Sequence, residues 1–60
     1  MTRDEAFQAM CDGKNVSHYN FSQGEFLFLY GNVIKTEDGY RFCDKFWNTD
    51  WMEDGWSICQ

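Results

Sequence analysis

Apolar side chains open the chain at Ala6, Phe7, Met10 and Cys11, a spacing that puts them on one helical stripe. Just before them, Thr2-Arg3-Asp4-Glu5 has the form of a capping box. The Thr2 hydroxyl would accept the Glu5 N–H, and the Glu5 carboxylate would accept the Thr2 N–H. Asp4 and Glu5 also set negative charge at the positive end of the helix dipole. Gly13 supplies a left-handed stop. A helix over 3–12 is predicted. Beyond it the period shortens. Val16–Tyr19 fits a short strand and Gln23-Gly24 a turn. Glu25–Tyr30 is apolar at nearly every position, which predicts a central strand covered on both faces. Gly31-Asn32 reads as a two-residue hairpin turn of the Gly-first kind, with Val33–Thr36 returning. Glu37-Asp38-Gly39 turns again into a strand over Tyr40–Cys43, and Asp44–Asp50 reads as irregular or as a helical turn. Glu53-Asp54-Gly55 then leads into a last strand, Trp56–Cys59. The sum is an α+β fold in a single domain, 1–60: one N-terminal helix packed on a small, meandering antiparallel β-sheet of four to five strands.

Composition makes that fold a marginal one. A chain of 60 residues buries only about 60% of the surface its unfolded form exposes. Leu27, Leu29, Ile34 and Ile58 are its only leucines and isoleucines, so six Phe, three Tyr and three Trp must carry the core. Small scaffolds add disulfides, a metal or self-association. The three cysteines, Cys11, Cys43 and Cys59, are an odd number and argue against a disulfide framework. With His18 they would make a four-ligand zinc set, but no C-x-x-C pair occurs, and small apolar fillers are the simpler account. No metal and no cofactor is expected. Self-association into a dimer or tetramer remains.

Met1–Glu5 runs into a charged amphipathic segment with no leader pattern, and no apolar run reaches membrane-spanning length. No membrane partner is therefore expected. Asn15-Val16-Ser17 and Asn20-Phe21-Ser22 match glycosylation sequons that stay idle without secretion. A reducing cytoplasm is the expected compartment. Net charge is −5, which disfavours duplex nucleic acid, since that affinity comes from Lys and Arg on phosphates.

The tryptophans cluster in Phe46–Ile58, among Asp50, Glu53 and Asp54. Rings of this size, burying about 150–250 Å² each, serve cores and interfaces alike. Read as packing, most of the three indoles lie inside. Read as binding, Trp47 and Trp51 form an acidic protein-interface face, since interface centres are rich in Trp, Tyr and Phe. Catalysis is not expected. The carboxylates read as a solvated turn, His18 is the sole histidine, and no nucleophile motif or glycine-rich phosphate loop is present. Aromatics interleaved with polar residues also suit stacking on a flat ring.

The run EAFQAMCDGKNVSHYNF resembles the opening of a family of small phage and prophage proteins that includes the second class of Thoeris anti-defence proteins, sponges for cyclic nucleotide-type immune signals. Glu5-Ala6-Phe7, Met10, Gly13-Lys14, Val16, His18 and Phe21 occupy the pattern, Phe26–Leu29 match its apolar strand, and Asp50 and Trp56 its closing spacing. His18 stands where the family has another basic residue, Phe21 where it has tryptophan, and the middle is shorter. The resemblance implies a phage-encoded protein of the host bacterial cytoplasm. It would sequester, without cleaving, a cyclic nucleotide or cyclic ADP-ribose-like molecule. Lys14, His18, Phe21, Asp50 and Trp56 would hold the ligand, with His18 an accessible phosphate contact whose removal spares the core. The alternative is a small acidic inhibitor that binds a host protein directly through Trp47 and Trp51.

Overall fold

A computed structural model describes residues 1–59. Helix α1 spans Arg3–Cys11, and both halves of its capping box form: Glu5 N–H donates to Thr2 Oγ1 at 3.2 Å and Thr2 N–H to Glu5 Oε1 at 2.9 Å. The helix closes with Gly13 N–H on the Met10 carbonyl and Lys14 N–H on that of Ala9, with Gly13 at φ +86°. That pair of bonds is a Schellman motif, which needs the left-handed residue that glycine supplies. The stripe facing inward is Ala6, Ala9 and Met10; Phe7 is half-buried and Cys11 is exposed. Cys11 is thus no filler. The helix rotates its smallest residues onto the sheet, and Cys11 falls off the edge of that contact.

The strands are β1 (Asn15–His18), β2 (Leu27–Tyr30), β3 (Val33–Thr36) and β4 (Trp56–Cys59), paired antiparallel in the order β3-β2-β1-β4. Four strands on one N-terminal helix make the α+β arrangement expected. The path is not a simple meander, however. β4 returns over the top to lie beside β1, giving the strand order of a Greek key. Between β3 and β4 the chain forms a second helix, α2 (Cys43–Asn48), and a 3₁₀ turn over Asp50–Glu53. The strand expected over Tyr40–Cys43 reduces to a single bridge, Arg41 to Lys35. Thr36 N–H reaches the Tyr40 carbonyl and Phe42 N–H the Ile34 carbonyl, each at 2.8 Å. These bonds close the outer edge of β3. The chain then coils, which drives Phe46 into full burial.

The two-residue Gly31-Asn32 turn has φ +61° at glycine and no positive φ at asparagine, the Gly-first pattern. It sets Leu27 opposite Thr36 and Leu29 opposite Ile34. β2 is central but not covered on both faces. Leu27 is buried, Phe28 and Leu29 are half-buried and Tyr30 is exposed, because all helical segments pack on one side. On the bare side Phe26 and Phe28 pack on each other at 6.3 Å, and the Lys35 ammonium sits 5.1 Å from the Tyr30 ring. The core is Ala6, Ala9, Met10, Val16, Leu27, Ile34, Phe46, Met52 and Trp56. Only Phe46 and Trp56 among the aromatics are fully inside, so the rings do not fill the core as composition suggests. Met10 and Met52 share that work, flexible thioethers fitting the gaps. Cys11, Cys43 and Cys59 are all free thiols. Among the described residues no helix is long and apolar enough to cross a membrane.

Candidate functional site

Apart from the Phe26–Phe28 pair, Tyr30 and Tyr40, the rings join through tilted and edge-on contacts into one network that runs through the buried Phe46 and Trp56. Phe7 on α1 meets Trp47 at 5.2 Å, Trp47 meets Phe46 at 4.9 Å, and Phe46 meets Trp56 at 5.1 Å. Trp56 then meets His18 at 5.0 Å and Phe21 at 5.6 Å, the latter nearly perpendicular. From His18 the network reaches Tyr19 at 4.6 Å and Trp51 at 5.0 Å; from Phe21 it reaches Phe42 at 6.3 Å. Such offset and edge contacts each add about 0.5–1.5 kcal/mol beyond their buried area. The network packs Trp47 against buried Phe46 and Trp51 against buried His18.

His18 is the hub, and it is only 3% exposed. The Asn20 N–H donates to Nδ1 at 3.0 Å, which leaves Nε2 to carry the ring proton and donate to the Asp54 carbonyl at 2.7 Å. Both nitrogens are thereby occupied by backbone, and the tautomer follows from the partners. The Trp56 indole N–H is taken by the Met52 carbonyl at 2.6 Å. His18 is not the accessible contact expected from the sequence, because its strand position points inward, where Trp51 of the 3₁₀ turn and Trp56 pack on its ring. It ties β1 to the Asp54–Gly55 corner instead.

Of the five positions expected to hold a ligand, His18, Phe21 and Trp56 meet, as their ring contacts show. Lys14 is exposed just before β1, whose four residues separate it from His18 by roughly 13 Å of extended strand. Asp50 is exposed at the start of the 3₁₀ turn, beside Trp51 in the chain. The two indoles expected at a protein interface are both at the surface: Trp47 is 42% and Trp51 48% exposed. The expectation that most of the indoles lie inside therefore fails; Trp56 alone does. Around Trp51 the side chains of Asp50, Glu53 and Asp54 are exposed as well.

Beside Phe21 lies a hollow of about 180 Å³, walled by Phe21, Leu27, Tyr40 and Phe42. Thr36, Glu25, Glu37 and Asp38 complete its lining, which includes no cation. Two of these carboxylates are anchored: Glu25 Oε1 accepts the Ser22 N–H at 2.6 Å, and Glu37 Oε1 the Phe26 N–H at 3.2 Å. The sequence held a usable signal for this site. A two-residue turn at Gly31-Asn32 fixes the hairpin register, and two steps past Leu27 and Thr36 it brings Glu25 and Phe26 against Glu37 and Asp38. A second, larger hollow of about 340 Å³ at the start of α2 is lined by Arg41, Phe42, Cys43, Asp44 and Lys45. There two of the five basic side chains come together. Comparison with known protein families, with characterised proteins and with solved structures finds no match for this chain.

Proposed function

We propose that the protein is a non-enzymatic binder that occupies a basic surface of another protein, as a small acidic phage inhibitor of a host protein would in the bacterial cytoplasm. One observation carries this reading: Trp47 and Trp51 stand half-exposed against buried rings, and Trp51 lies in the acidic stretch Asp50–Asp54, where among the described residues no lysine or arginine forms an ion pair with a carboxylate. Tryptophan anchors dominate interface energetics, and an indole already held in place loses little freedom on binding. The acidic field steers and orients a basic partner. Affinity capture from a bacterial lysate compares wild-type bait with a Trp47→Ala/Trp51→Ala bait. The expected result is a basic protein retained by the first and lost from the second; identical captures on both baits would overturn the reading. Self-association into a dimer or tetramer belongs to the same proposal, with the bare sheet face of Phe28 and Tyr30 as its natural seat. Light scattering that returned a monomer at high micromolar concentration would remove it.

A second reading, sequestration of a cyclic nucleotide or cyclic ADP-ribose relative, draws on the meeting of His18, Phe21 and Trp56 and on the Arg41/Lys45 hollow. Its phosphates would lie against Arg41 and Lys45 and not against Lys14 and His18. Thermal melting with a panel of such nucleotides separates the readings, since a ligand of the folded form raises Tm by mass action. A shift at millimolar nucleotide supports sequestration. No shift at millimolar nucleotide removes the sequestration reading.

A further inference from the structure

The hollow beside Phe21 has a size and a chemistry of its own. At about 180 Å³ it falls below the roughly 300–1,000 Å³ of sites that enclose a whole small ligand, so a side chain suits it better. Its wall is mainly apolar and aromatic, its charged side chains are all carboxylates, and Thr36 completes the lining. A planar cation on a flexible apolar stem matches both surfaces at once. The stem packs on Leu27 and the rings, while the charged head reaches the carboxylates. A guanidinium fits better than an ammonium, because it stacks flat on aromatic faces and offers a fork of N–H donors to carboxylate oxygens. Glu25 and Glu37 each have one oxygen fixed by a backbone N–H, which leaves the other oxygen free to accept. Asp38 sits between Glu37 and the φ +88° turn at Gly39. The rim is thus placed by the hairpin.

We infer that this hollow is a receptor for an arginine side chain of the protein partner, with Phe21, Tyr40 and Phe42 packing on the guanidinium and Glu25, Glu37 and Asp38 accepting its N–H groups. This rests on the protein-binding reading above and adds to it the residue type that the partner presents. Phe21 links the hollow through Trp56 and His18 to Trp51, so an arginine seated here bears on the same ring network that presents Trp51.

The test is a titration of the folded, isotope-labelled chain with Nα-acetyl-arginine amide, read from backbone amide shifts. Saturable shifts at Phe21, Glu37, Asp38, Tyr40 and Phe42 are expected in the millimolar range, a free energy near −4 kcal/mol at about 1 mM. The citrulline analogue, of the same shape and without charge, should produce none. Glu37→Gln with Asp38→Asn should weaken binding roughly tenfold. Glutamine keeps an acceptor for the Phe26 N–H, so the variant holds its fold, which the same spectra verify. The inference is overturned by shifts scattered equally over Asp50, Glu53 and Asp54, by equal binding of the lysine analogue, or by no saturation up to about 50 mM. The two proposals fail separately. A basic protein captured through Trp47 and Trp51, with arginine ignoring the hollow, sinks this inference alone. Arginine binding with identical captures on both baits sinks the functional reading and leaves the hollow a guanidinium site without its partner.

Discussion

At the scale of single residues, the corner where His18 meets Gly55 holds the molecule's least replaceable atoms. Gly55 has φ +97°, and a Cβ there would stand 2.5 Å from Tyr19 Cε1 and 2.9 Å from His18 Nε2. The exposed Tyr19 ring can swing aside; the buried imidazole cannot, because both nitrogens are bonded. Gly55→Ala should therefore lose more than the roughly 1–2 kcal/mol of a left-handed backbone. Gly39, at φ +88° with nothing within 4 Å of its built Cβ, serves as the control. Chemical denaturation of Gly55→Ala and Gly39→Ala checks this, and equal losses would show that the corner yields. His18→Ala belongs to the same argument. It removes the partner of the Asn20 N–H and of the Asp54 carbonyl, two part-buried bonds worth about 0.5–1.5 kcal/mol each. It also removes the ring that four aromatics contact. A drop of about 3–5 kcal/mol is expected, a large part of what a chain this short has in total. A circular-dichroism melt unchanged from wild type would refute the hub role. The sequence alone invited the opposite expectation, since a lone histidine near a basic motif position reads as exposed until β1 turns it inward.

Elements with local signals were legible, and those that depend on distant contacts were not. The capping box and Gly13 are written within a few residues of each other, and α1 begins and ends beside them. Removing the Thr2 hydroxyl by Thr2→Ala should cost about 1 kcal/mol. Because Thr2 and Glu5 bond reciprocally, adding Glu5→Ala should cost less than the sum of the single losses. An additive double mutant in urea melts would mean that the two bonds act independently. The turn at Gly31-Asn32 fixed β2 and β3 in the same local way, and its register implies the hollow beside Phe21. Segment 40–48 escaped because two demands compete in it. Tyr40–Phe42 alternates like a strand and does lend its backbone to β3, yet Phe42 and Phe46 are one helical turn apart. Burial of Phe46 against Trp56 decides for the helix, and no local signal announces that partner. The placement of Trp56 inside and of Trp47 and Trp51 outside follows from the same crossover. β4 returns beside β1, so Trp56 is carried into the core and the two helical segments lift the other indoles to the surface.

For the molecule as a whole, the dominant unbalanced quantity is charge. Ten acidic side chains face five basic ones, and among the described residues the sole ion pair joins the Met1 ammonium to Asp54 at 3.8 Å. The carboxylates therefore repel one another with little local relief, most densely around the hollow at Glu25, Glu37 and Asp38 and in the stretch Asp50–Asp54. The principal extents are 24 × 22 × 20 Å. At 0.01 M salt the Debye length of about 30 Å exceeds them, so every charge feels every other; at 0.15 M it falls to about 8 Å, and only neighbours do. Added sodium chloride should thus raise the melting temperature between these two concentrations and then level off. Self-repulsion acts against the compact state, and the expanded unfolded chain suffers less from it. The same salt should loosen any basic partner, because steering and rim contacts are screened together. Stability and affinity are expected to move in opposite directions along one salt axis, measurable by calorimetric melts and by arginine titration of the same sample. A melting temperature that falls as salt is added would mean that attractive pairs outweigh the excess of carboxylates. An arginine affinity indifferent to salt would mean that the rings alone hold the side chain.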